Sequence, residues 1–95
     1  MRIFYLEYHI KLDTVFSIKD KRSLRLRLFN RLKKNFNISI MEEDKRDSLD
    51  YLDFGICYLA PDISFGDSYY EKIDLFISSN LELGSSIIEV HKEII

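Results

Sequence analysis

Several residue types are scarce in this chain of 95 residues, and each scarcity excludes a class of protein. The single cysteine, Cys57, can form neither an internal disulfide nor a cysteine-based zinc site, which fits a reducing compartment. One proline and three widely separated glycines exclude collagen-like sequences and Gly-rich phosphate loops. No apolar run is long enough to cross a membrane, and the N-terminus lacks the pattern of a signal peptide. We therefore expect a cytoplasmic protein that makes no contact with membranes.

What the chain does contain is typical of a small globular protein. Hydrophobic residues make up 46% of the sequence and charged residues 32%, and the 7 Phe and 6 Tyr provide enough large apolar side chains for a core. A length of 95 residues is too short for two domains of ordinary size. We therefore predict a single domain over residues 1–95.

The net charge of -2 hides an uneven distribution along the chain. Residues 17–36 contain 8 cations and 1 anion, a net charge of +7, whereas residues 37–95 contain 4 cations and 13 anions, a net charge of -9. Residues 1–16 are neutral, with 2 charges of each sign. This basic segment is the most informative feature of the composition.

Apolar and polar residues alternate in three segments, which predicts strands over roughly 2–13, 37–41 and 52–58. Cys57 lies within the third segment and is predicted from its residue type to be a small core residue rather than a nucleophile. The segments 13–17, 42–50 and 80–86 are predicted as connections. A fourth strand near the C-terminus is predicted to form its apolar side from Ile88, Val90 and Ile94.

Two segments have helical spacing. Residues 19–36 contain no β-branched residue, are rich in Leu and Arg, and have apolar residues at every fourth position, with Ser17 as the predicted N-cap. Leu26 falls inside the basic arc of this helix, and Arg25 lies at the edge of the apolar arc. The second helix is predicted from the helical spacing of Phe65, Tyr69, Ile73, Phe76 and Ile77, with Asp62 or Asp67 as its N-cap.

The resulting order, βαββαβ, is typical of a ferredoxin-like α+β sandwich. We predict an antiparallel sheet in the order 4-1-3-2 with both helices on one face and the other face open. Tyr5 and Ile87 are predicted on the open face. Because these side chains leave that face incompletely shielded, a homodimer through the face or an edge strand is expected.

Charged and imidazole side chains are also predicted on the open face of the first and last strands: Glu7, His9, Lys11, Glu89, His91 and Glu93. Two interpretations exist. The side chains could bind a divalent metal or transfer protons, or they could form ordinary cross-strand polar pairs in contact with water. The second interpretation is favoured, because nothing in the sequence indicates a pocket. We therefore predict no catalytic residue, no metal site and no cofactor.

The basic helix gives the strongest functional signal. Clustered cations attract phosphate groups, and residues three or four apart on a helix lie on the same side. The alternative is a solvated helix whose cations pair with the acidic segment 42–53 of the same or another subunit. The predicted nucleic-acid-binding residues are Lys19, Lys21, Arg22, Arg27, Arg31 and Lys34.

The segment Phe16–Ser23 resembles the Ser-Leu-Lys-Glu-Lys-Arg-Ser signature of the YlxP-like family of small bacterial proteins. The similarity continues through residues 31–40, Gly55-Ile56, Asp62 and Phe76-Ile77. It implies a ferredoxin-like fold and no enzymatic activity. Genes of this family often lie beside those of a translation initiation factor and a ribosome-binding factor, which implies a role in ribosome maturation or translation.

The chain departs from the family pattern in two places. Many members have Trp-Gln-Arg or a similar sequence where this chain has Leu49, Asp50 and Tyr51, so an RNA contact by the 44–51 loop is not supported. Arg25 and Leu26 invert the usual order of an apolar residue followed by a basic one. From the residues and the resemblance together, we expect RNA or a ribosomal particle as the partner of the first helix. The alternative is a protein-interaction or self-assembly module.

Overall fold

The computed structural model describes residues 1–13, 17–43, 48–82 and 84–95. The predicted connections at 13–17, 42–50 and 80–86 therefore lie partly outside the described residues. The sheet has the antiparallel order β2-β3-β1-β4, which is the predicted order read from the other edge. The predicted ferredoxin-like architecture is confirmed. Its elements are β1 (Arg2–Lys11), α1 (Ile18–Asn35), β2 (Ser39–Glu42), β3 (Tyr51–Ala60), α2 (Ile63–Asn80) and β4 (Ser86–Ile94).

The core lies between the helices and one face of the sheet. Alternate residues of β1 point into it and are fully buried: Phe4, Leu6, Tyr8 and Ile10. Helix α1 adds Leu28, Phe29 and Leu32, and α2 adds Ile73 and Ile77. Burial of each large apolar side chain contributes roughly 1.5–3 kcal/mol, so these residues hold the helices against the sheet. Among the described residues, no helix has the length and apolar character needed to cross a bilayer.

Side chains cap the N-termini of both helices. The hydroxyl of Ser17 accepts a hydrogen bond of 3.1 Å from the backbone N–H of Asp20, which confirms the predicted cap of α1. The carboxylate of Asp62 accepts a hydrogen bond of 2.8 Å from the backbone N–H of Phe65. Asp62 is therefore the cap of α2. Asp67 instead pairs with Lys92 at 2.9 Å.

The apolar side of β4 differs from the prediction. His9 is opposite Glu89 and Ile10 is opposite Ile87, so Ile88 is an extra residue that shifts the register of β4. Ile87 packs against the core together with Val90 and Ile94, whereas Ile88 is 51% exposed. The predictions for Ile87 and Ile88 were therefore wrong, because a bulge reverses the alternation of side chains between the two faces of a strand.

Cys57 is exposed and does not belong to the core. It is opposite Tyr5 in the register of β1 and β3, and both residues lie on the face that the helices leave open. The buried residues of β3 on either side of it are Ile56 and Tyr58. The prediction of a core cysteine was wrong because it rested on residue type, whereas the strand alternation places position 57 outside.

Two buried tyrosines are expected to make the fold sensitive to alkali. Burial and the neighbouring Asp74 raise the pKa of Tyr8 above its usual 10.0, and burial and Asp67 raise the pKa of Tyr58. As the pH rises past 10.0, the usual pKa of tyrosine, the unfolded chain loses tyrosine protons while the folded chain keeps them. The free energy of unfolding should therefore fall by up to ~1.4 kcal/mol per pH unit for each tyrosine. Urea unfolding at pH 9, 10 and 11 measures this fall, and an unchanged free energy of unfolding would contradict it.

Candidate nucleic-acid interface

Helix α1 separates apolar and basic side chains as the sequence predicts. Leu28, Phe29 and Leu32 are buried against the sheet and α2, and most of the cations face solvent. Leu26 is 48% exposed and lies among the cations. An apolar side chain at this place contributes little to the core, so Leu26 offers a contact surface to a partner.

Four cations of α1 are hydrogen-bonded within the chain. The ammonium group of Lys21 donates to the carbonyl of Ser48 at 2.8 Å. Arg25 is half-buried and pairs with Glu42 at 3.1 Å. On the side facing α2, Arg27 pairs with Glu82 at 3.3 Å and Arg31 donates to the side-chain oxygen of Asn80 at 3.1 Å. Three of the six predicted binding residues, Lys21, Arg27 and Arg31, therefore already have partners.

Three of the other cations form a line along the solvent side of α1. We define the basic strip as Lys19, Arg22, Leu26 and Lys33, whose spacings of 3, 4 and 7 residues place them on one side of a helix. Over the described part of the chain, no hydrogen bond or ion pair involves the three charged groups of the strip. At a rise of ~1.5 Å per residue the strip is roughly 21 Å long.

Lys33 was absent from the predicted site although it belongs to the strip. The helical spacing from Arg22 and Leu26 is the signal that identifies it. Lys34 is exposed as well, but it lies on the same flank as Arg27. Both lysines occupy the last turn of α1, where cations also stabilise the helix dipole.

A small cleft separates α1 from the end of α2. Its volume is about 110 Å³. Leucine side chains form the apolar part of its lining, and the two paired arginines and their partners form the polar part. The lining residues are Leu24, Arg27, Leu28, Arg31, Asn80, Leu81 and Glu82.

The open face of the sheet has the opposite charge. Acidic side chains lie on this face in β1, β3 and β4 and directly after the end of β2. They are Glu7, Glu43, Asp53, Glu89 and Glu93. Several are bonded to neighbours on the same face. The hydroxyl of Tyr5 donates to Glu43 at 2.8 Å, and its ring lies over Gly55. Tyr5 is thus half-buried by its own sheet.

The two histidines of the open face are not brought into one site. The sheet pairs Glu7 with His91 and His9 with Glu89. His9 Nδ1 is hydrogen-bonded to the carboxylate of Asp53 at 2.7 Å, whereas His91 Nε2 is hydrogen-bonded to Glu93 at 3.0 Å, which raises the pKa of His91. Within the described ranges, no group of three or more His, Cys, Asp or Glu side chains could hold a metal ion.

The two histidines are expected to differ in their effect on stability. Asp53 is 3% exposed, so the His9→Ala variant removes a hydrogen bond from a buried carboxylate and should lower the free energy of unfolding by about 1–3 kcal/mol. The matched variant His91→Ala alters an exposed pair and should change it very little. Urea unfolding of both variants measures the difference. Equal losses of free energy in the two variants would mean that the hydrogen bond between His9 and Asp53 stabilises the fold no more than the exposed pair does.

A family model described as a protein of unknown function (DUF503) matches residues 3–91. The chain belongs to this family. No curated protein matches the chain. The family assignment covers both helices and nearly the whole sheet, including the basic strip and the cleft.

Two de novo designed proteins have similar structures. One, Foldit4, is 18% identical, with a TM-score of 0.60 and 96% of each chain covered. The other, LFR1 1, has a ferredoxin fold determined by NMR. It is 15% identical, with a TM-score of 0.62, and the alignment covers 99% of this chain and 85% of that one. At these identities the similarity shows the fold alone.

Proposed function

We propose that this protein binds RNA through helix α1, without catalysing a reaction. The observation that carries the proposal is the basic strip, whose cations Lys19, Arg22 and Lys33 bond to no described residue. Cations that the fold does not use remain available to phosphate groups, and each contact releases counterions from the nucleic acid. The exposed Leu26 adds an apolar contact within the same line.

The charge distribution gives the molecule one favourable orientation toward a polyanion. The basic strip lies on the helical side, whereas the acidic side chains of the sheet lie on the opposite, open face. A phosphate backbone is attracted to the first surface and repelled by the second. The proposed interface therefore does not include Tyr5 or the other residues of the sheet face.

The resemblance to the YlxP-like family supports a more specific proposal. In this proposal the protein acts in the bacterial cytoplasm, with ribosomal RNA or a ribosomal particle as its partner during ribosome maturation or translation. The link to the ribosome rests on the gene neighbourhood of that family, and the link to RNA rests on the charge of α1.

A protein-interaction or self-assembly module is the second proposal, and the open face supports it. Ile3 is paired with Leu59 on one side and with Ile95 on the other, and these three side chains are 38%, 63% and 69% exposed. Such an apolar row could be covered in a homodimer. Light scattering over a range of protein concentrations measures the mass, and a constant monomer mass would contradict the dimer.

A salt titration of the unmodified protein tests RNA binding. If four or five phosphates are neutralised on a single strand, the logarithm of the association constant should fall with the logarithm of the salt concentration at a slope of about -3. Filter binding to fragments of ribosomal RNA at several salt concentrations gives the slope. Absence of binding at low salt would contradict the proposal.

A further inference from the structure

We propose that the cleft between α1 and the end of α2 binds one unstacked base of a single-stranded RNA. The inference rests on the proposed function and adds the form of RNA that is bound. The decisive feature is the mixed lining of the cleft, in which three leucines stand beside the polar side chains of two arginines, Asn80 and Glu82. A base has an apolar face and polar edges and can use both kinds of lining, whereas a phosphate group would be poorly solvated against the leucines.

The two arginines of the cleft have side chains that can stack on the face of a base. Guanidinium groups are planar and weakly hydrated, and they stack on the faces of rings. Arg27 and Arg31 are four residues apart on α1, so both side chains lie on the same side of the helix and line the cleft. A volume of about 110 Å³ suits one ring system and excludes a base pair.

An ion pair and a hydrogen bond hold the two guanidinium groups of the cleft in place without burying them. Arg27 is 61% exposed where it pairs with Glu82, and Arg31 is bonded to Asn80, whose amide in turn donates to the carbonyl of Phe76 at 2.8 Å. One edge of each guanidinium group is thus bonded to a residue at the end of α2, and the two faces of the group remain accessible. The basic strip lies on the neighbouring side of α1, where it can contact the phosphates that flank the bound base.

Replacing arginine by lysine separates stacking from charge, because lysine keeps the charge and loses the planar group. The Arg27→Lys/Arg31→Lys variant should bind a single-stranded RNA oligonucleotide about five-fold more weakly, or worse, with an unchanged salt slope. The matched variant Arg2→Lys, at an exposed position outside α1, should retain the affinity. A blunt RNA duplex and an abasic oligonucleotide of the same length keep the phosphates and offer no free base, so the double variant should bind both as the unmodified protein does.

The outcomes distinguish this inference from the proposed function. Binding of the single strand, the duplex and the abasic strand with equal affinity, or a double variant with unchanged affinity for the single strand, would overturn the base site and leave RNA binding by α1 intact. Failure to bind any of the three would overturn RNA binding itself, and the base site with it. As a second measurement, the NMR methyl signals of Leu24, Leu28 and Leu81 should shift with the single strand and stay in place with the abasic strand. The reverse pattern would contradict the proposal even if a variant folded poorly.

Discussion

Replacing Gly66 by alanine is expected to lower the free energy of unfolding by about 2–3 kcal/mol, although alanine is the better helix former. A Cβ atom at this position would overlap Cε1 and Cζ of Phe4. Phe4 is fully buried and stacks on Tyr58 with ring centroids 5.2 Å apart. The ring has no room to retreat, so α2 must move away from the sheet.

The loss should be large on the temperature scale as well, because a domain of this size melts about 4–8 °C lower for each kcal/mol. The hydrogen bond of 2.7 Å from the Tyr58 hydroxyl to the carbonyl of Gly66 would be strained by the same movement. Thermal unfolding followed by circular dichroism measures the change. A melting temperature equal to or above that of the unmodified protein would show that helix propensity outweighs the close contact.

Two further variants test the cause of this destabilisation. Gly55→Ala makes the same change at a strand position where the nearest atom, 3.0 Å away, is Cε1 of the half-buried Tyr5, so it should cost less than about 1 kcal/mol. Phe4→Leu removes ring atoms that clash with a Cβ at position 66. In the Phe4→Leu background, Gly66→Ala should therefore cost about 1 kcal/mol less than it does alone.

Much of the architecture is predictable from sequence because local patterns determine it. The alternation in β1 and β3 and the four-residue spacing in α1 specify which side of each element is buried, and only a few chain topologies can cover those sides together. The bulge at Ile88 was not predictable, since its neighbours Ile87 and Val90 allow either face of β4 to be buried. The role of Gly66 was not predictable either, since it depends on contact with Phe4, 62 positions earlier.

The charge of the candidate site was predictable from the sequence, whereas the contacts of its side chains were not. The sequence places eight cations on or beside α1, but not the partners that some of them find in distant segments. Arg27 meets Glu82 and Arg31 meets Asn80 only because α1 and α2 pack side by side. The cleft between the helices is likewise a product of tertiary packing. Only the structure therefore shows which cations of α1 bond to other described residues and which form the basic strip.

Reversing two charges of the basic strip is expected to have the largest effect on RNA binding. The Arg22→Glu/Lys33→Glu variant removes two contacts with phosphate at about 1.5 kcal/mol each, so affinity should fall about 100-fold. The salt slope should become shallower by about 1.4, because each lost contact with a single strand removes roughly 0.7. Both side chains are exposed, so the fold should be unaffected. Filter binding at several salt concentrations measures affinity and slope together.

The control for this experiment changes the net charge equally at other places. Arg2 and Lys72 are exposed and lie outside α1, so Arg2→Glu/Lys72→Glu gives the same change of four charges and should leave affinity within about three-fold and the slope unaltered. Arg27→Glu/Arg31→Glu should give an intermediate loss, because Glu82 already offsets part of the charge at the cleft. Equal losses in the strip variant and the control would mean that overall charge, and not the strip, governs binding. Unchanged affinity in the strip variant would remove α1 as the RNA-binding surface and favour the protein-interaction proposal.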